Sequence, residues 1–132
     1  MPEKISTEVL NTGITTSHIS ILEDWGRHLA KPQGNKKAMS TSQIRKFFGE
    51  IKRIQADFDN CKNEVILLDP KIAYAVGRAK KDAGRNDQVA IEDFYELINP
   101  MLRKIEGDKA KFRRFVQVCE SIVAYHKAAG GQ

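Results

Sequence analysis

The chain has 132 residues, 41% of them hydrophobic and 30% charged, which suits one folded domain with one core and argues against disorder. Two cysteines are too few for a disulfide framework, and no apolar run approaches the ~18 residues that span a membrane. The N-terminus, MPEKISTEVL, has no apolar stretch of the kind a secretion signal needs, so a cytoplasmic protein is expected.

Hydrophobic periodicity predicts five helical segments and no strand, an all-α compact bundle of about five helices. Residues 1–15 are expected to be a flexible N-terminus of a single domain spanning 1–132. The first helix is expected at about 17–31, with Ile19, Leu22, Trp25 and Leu29 on one side and Pro32-Gln33-Gly34-Asn35 ending it. The second covers roughly 41–59, with Ser40 and Gln43 spaced as a capping box and Ile44, Phe47, Phe48, Ile51 and Ile54 toward the core. The third lies between about 63 and 82; Asp69-Pro70 is expected to act as N-cap and first-turn proline, followed by Ile72, Ala73, Val76 and Ala79. DAGRND (82–87) reads as a turn. The fourth starts near 88 with Ile91, Phe94, Tyr95, Ile98 and Leu102, is expected to kink or break at Pro100, and ends at Gly107. The fifth, about 108–128, aligns Phe112, Phe115, Val116, Cys119, Ile122, Val123 and His126 in one stripe.

Residues that carry catalytic chemistry do not assemble into a site. His18, His28 and His126 are far apart, with no H-x-x-x-H or C-x-x-C spacing and no phosphate-cradling glycine loop. Glu92, Asp93 and Glu96 form an acidic cluster on one helix, but a metal-dependent hydrolase needs a second carboxylate pair and the fifth helix offers only Glu120. The cluster therefore reads as a solvated face, His126 as a packed histidine and Cys119 as a buried reduced thiol. The tail Gly130-Gly131-Gln132 matches a peptidyl-tRNA hydrolysis tripeptide in letters only. No catalytic residue, metal or cofactor is expected.

Charge is more informative. The formal net charge is +5, unevenly spread: residues 35–58 hold six basic and two acidic groups, residues 70–85 five and one, and residues 86–106 two and five. On a wheel of ~100° per residue, Arg45, Lys46, Lys52 and Arg53 fall in one sector of the second helix with Ser42, Gly49 and Ala56, and with no carboxylate among them. A mid-helix glycine costs about 1 kcal/mol relative to alanine. A basic, low-profile face of this kind suits a phosphate backbone, bound without sequence preference. A solvated face, or a protein–protein adaptor whose basic side meets an acidic partner, fits the same residues.

Three stretches together resemble a known family. TSQIRKFF, KIAYAVGRAKK and FVQVCESIVAYHKAAGG are similar to the small subunit of the type III-A CRISPR effector, the Csm complex. The matching elements are the helix start Thr41, Ser42, Ile44 and Arg45; the aromatic–x–x–Gly–Arg element Tyr74, Gly77 and Arg78; and the C-terminal run from Glu120 to Tyr125. The resemblance implies an all-helical, non-catalytic subunit. Several neighbouring copies line the inside of a ribonucleoprotein filament, contact guide and target RNA through the backbone, and touch the large polymerase-like subunit and the backbone nuclease subunits. With Arg45, Lys46, Lys52 and Arg53, Arg78 and Lys81 of the third helix complete the expected RNA-facing surface. Arg45 has a structural alternative, an ion pair with Glu120. The acidic cluster is expected to meet the basic face of the next copy.

Overall fold

A computed structural model describes residues 1–84 and 88–132. Among them are seven α-helices: α1 (Val9–Thr12), α2 (Thr16–Ala30), α3 (Thr41–Ala56), α4 (Phe58–Cys61), α5 (Leu68–Ala83), α6 (Ala90–Ile105) and α7 (Lys109–Ala128), with a 3-10 turn at Lys62–Glu64. The chain is all-α. The five expected helices are α2, α3, α5, α6 and α7; the count rises to seven because α1 and α4 are four residues each, too short to show a period. The end of DAGRND lies outside the described residues; its start closes α5, with Gly84 at φ 102°.

α6 runs through the core, and the buried faces of the other long helices close around it. It buries Ile91, Phe94, Leu97, Ile98, Met101, Leu102 and Ile105. Phe94 meets Phe47 of α3 edge to face, with centroids 5.5 Å apart. α2 and α7 form the tightest pair, because Gly26 lets the α2 backbone sit on Tyr125 and His126 of α7. Phe112, Phe115, Val116, Cys119, Ile122 and His126 of the predicted α7 stripe are buried, and Val118 joins them. His126 accounts for its burial with a 2.7 Å hydrogen bond between Nε2 and the Met39 carbonyl.

The capping box of α3 is present: Gln43 N donates to Ser40 Oγ and Ser40 N to Gln43 Oε1. The C-terminal tail adds to it, since Thr41 N donates to the Gln132 carbonyl at 2.8 Å. Gly131 lies on the His126 ring where a Cβ would overlap it. The tail thus packs beside the first turn of α3.

Several expectations are corrected. The segment expected to be flexible packs on the helices: Ile5, Val9 and Leu10 are buried, Trp25 Nε1 donates to the Glu3 carbonyl, and Arg114 donates to the carbonyls of Leu10 and Asn11 at the open end of α1. Asp69 is not an N-cap. It lies inside the first turn of α5, and its carboxylate accepts from Tyr95 Oη at 2.7 Å and from Asn99 Nδ2. Pro100 does not break α6, which continues to Ile105. Pro100 and Glu96, whose carbonyl loses its donor, share the exposed face, where the carbonyl is not left without a partner inside the core. Ile19, 42% exposed, and Ala73 lie outside the core, and Phe48 is half-buried at its edge.

Candidate nucleic-acid interface

α3 is held by its apolar stripe, so its two other edges face different neighbours. Ile44, Phe47, Ile51 and Ile54 are buried. Lys46 lines a groove of about 680 Å³ shared with α5, where Arg78, Tyr74 and Lys71 also lie. Lys52 is on the opposite edge, beside α7: its Nζ is 3.5 Å from Glu120 Oε2 and 5.6 Å from the Phe48 ring centre. Arg45, one heptad before Lys52, occupies that same edge.

The six expected cations are therefore not equivalent. All are exposed. Arg53 is engaged on both sides, 2.9 Å from Glu50 and 2.7 Å from Glu64. These carboxylates, Glu64 foremost, hold the Arg53 guanidinium above its ordinary pKa, and Arg53 with Lys71 holds Glu50 below the usual carboxylate value. Lys52 has Glu120, the residue expected as a partner of Arg45. The sector predicted to lack carboxylates is thus neutralised at two of its four cations, by acids from other elements or one turn away. Arg45, Lys46, Arg78 and Lys81 have no ion-pair partner among the described residues.

Gly49 separates the two edges of α3. Gly77 sits on the exposed stripe of α5 that carries Tyr74, Arg78 and Lys81 at helical spacing. A Cβ added at either glycine would meet nothing within 4 Å. Nothing inside the fold requires either one, in contrast to Gly26.

The acidic cluster is also corrected. Asp93 is buried, with Lys36 Nζ 2.6 Å and His28 Nε2 2.8 Å from its Oδ2. Burial pushes the Asp93 carboxyl up, but hydrogen bonds from Lys36 and His28 outweigh it and leave it below the usual carboxylate value. Glu92 is paired with Lys80. Of the three, Glu96 alone is exposed and without an ion pair among the described residues. Asp93 braces the loop before α3 against α6 and is not free to meet another copy.

Tyr74, 70% exposed, is a groove residue the charge reading passed over. Its i, i+4 spacing to Arg78 was the available signal. Among the described residues no group of three or more His, Cys, Asp or Glu is placed to hold a metal ion, and no helix is long and apolar enough to cross a membrane.

Fold and surface define a small all-helical protein with a two-helix basic face. Residues 16–132 match the family model described as Csm2 Type III-A, and the chain belongs to that family. It is 29% identical over 111 residues to the CRISPR system Cms protein Csm2 of Streptococcus thermophilus, covering 79% of this chain and 84% of the relative. No solved structure matches it.

Proposed function

We propose that this chain is a non-catalytic small subunit of a type III-A RNA-guided effector. In this reading it lines the inner side of the filament beside neighbouring copies, the large polymerase-like subunit and the backbone nuclease subunits, and grips guide and target RNA through phosphates. The observation that supports the reading best is the pairing of each open mid-helix glycine with unpartnered cations: Gly49 with Arg45 and Lys46, Gly77 with Arg78 and Lys81. Each glycine weakens its helix by roughly 0.5–1 kcal/mol, and neither is needed by internal packing. A backbone passing close over these turns accounts for both, and the cations match its charge. Arg45 and Arg78 can each hold a phosphate through two parallel hydrogen bonds. Lys52 joins the surface if phosphate displaces Glu120, since an ion pair with both partners 47% exposed is held by about 1 kcal/mol or less. Arg53, held by two acids, contributes least.

Titration of fluorescent RNAs of several sequences over a salt series tests this. Affinity that is alike for every sequence and falls steeply with salt is expected; affinity indifferent to salt, or no binding in the assembled complex, contradicts it. A different protein contact, apolar rather than through the basic face, is favoured by Ile66 and Leu67, adjacent and each 49% exposed. An apolar contact there would survive the salt that releases RNA.

A further inference from the structure

We propose that the groove between α3 and α5 holds an unpaired nucleobase stacked on Tyr74, with flanking phosphates at Lys46 and Arg78. This rests on the RNA reading above and extends it from the backbone to a base. Tyr74 is the most exposed large hydrophobic residue among those described, at 70%. An aromatic ring left in water on a rigid helix is a ready stacking surface. The groove beside it, about 680 Å³, is of small-ligand size. Its floor includes Phe47, Ile72 and Ala75, and Lys46 and Arg78 line it.

Two further features favour a nucleotide. Gly77 follows Tyr74 by about one turn and precedes Arg78, and a Cβ there would meet nothing within 4 Å, so the helix surface beside the ring is low. Of the two acids lining the groove, Glu50 is already neutralised by Arg53 at 2.9 Å and Lys71 at 3.1 Å, while Asp82, exposed and one turn beyond Arg78, has no ion-pair partner among the described residues. An aromatic platform with unpartnered cations beside it is the arrangement that binds single strands with little sequence preference. A fully paired duplex offers no base to insert, so the ligand class is single-stranded RNA or a base displaced from a duplex.

The test uses the full-length protein and the variants Tyr74→Ala and Tyr74→Phe, with circular dichroism to confirm folding. Fluorescence anisotropy is read with a single-stranded oligouridine and with a fully paired RNA duplex of equal length. Tyr74→Ala should weaken single-strand binding about five- to 150-fold, the range that loss of one stacked base produces. Tyr74→Phe should stay within about two-fold of the parent, and duplex binding should not change. Single-strand affinity unchanged in Tyr74→Ala overturns the proposal; if self-association drops instead, the residue is a protein contact. Equal losses on single strand and duplex also overturn it, while leaving the backbone reading standing. A parent protein that binds neither RNA overturns both.

Discussion

Gly26 of α2 lies against Tyr125 of α7 so closely that a Cβ at position 26 would overlap the Tyr125 side chain and backbone. Gly49 and Gly77 have no such neighbour. The three glycines should therefore separate by experiment. Gly26→Ala should lower stability by several kcal/mol, because two backbones must move apart in a close-packed interior. Gly49→Ala and Gly77→Ala should raise it by roughly 0.5–1 kcal/mol each. Urea denaturation followed by circular dichroism measures all three. Gly49→Glu should weaken RNA binding more than Gly49→Ala, since it adds bulk and negative charge at the same turn.

Asp93 makes stability depend on acid. Its carboxyl is held below the ordinary value by Lys36 and His28 despite burial. A depressed folded pKa means that the unfolded chain takes up the proton first, so this contribution is complete above the unfolded value of about 3.9 and is lost as pH falls through the folded value. Asp93→Asn should therefore lower stability near neutral pH by a few kcal/mol and flatten its decline below about pH 4. Melting curves over a pH series check this; a variant with the parent's acid slope would show that the decline originates elsewhere.

Glu120 competes with phosphate for Lys52. Glu120→Gln should raise RNA affinity a few-fold at low salt and steepen the salt slope by up to roughly 0.7–0.9 units, the share of one added phosphate contact. Stability should stay within about 0.5 kcal/mol, because the pair is exposed. An unchanged slope would exclude Lys52 from the interface.

Both cysteines should be reduced and functionally silent. Cys119 is fully buried, which pushes its thiol well above the ordinary range, and Cys61 is raised by burial and by its hydrogen bond with Glu64. At about pH 8, where a free thiol begins to ionise, iodoacetamide should label Cys61 slowly and Cys119 only on unfolding. A native Cys61–Cys119 bridge found by mass spectrometry would contradict this.

The long helices were legible because their order is local: the α7 stripe, the Ser40–Gln43 box and the Asp108 start of α7 are all set within a few residues. What sequence missed depends on contacts across the chain. α1 is held by Arg114, 104 residues from Leu10. Asp93 looked solvated because Lys36, its partner, is 57 residues away, although Ala90, Phe94 and Leu97 around it mark the buried face of α6. The wheel of α3 placed its four cations on the exposed side and missed Glu120, because a wheel holds only its own helix. Asp69 failed as a cap for the same reason: its partners Tyr95 and Asn99 belong to α6.

Binding of the RNA backbone by the α3–α5 face is probed most sharply by the double variant Lys46→Ala/Arg78→Ala. Both residues are exposed and alanine is the best helix former, so the fold should persist. The measurement is fluorescence anisotropy with guide–target RNA of two unrelated sequences over a salt series. The variant should bind both sequences more weakly by the same factor, with a salt slope shallower by roughly 1.4–1.8 units. A folded variant that binds both RNAs with the parent's affinity and slope would contradict it.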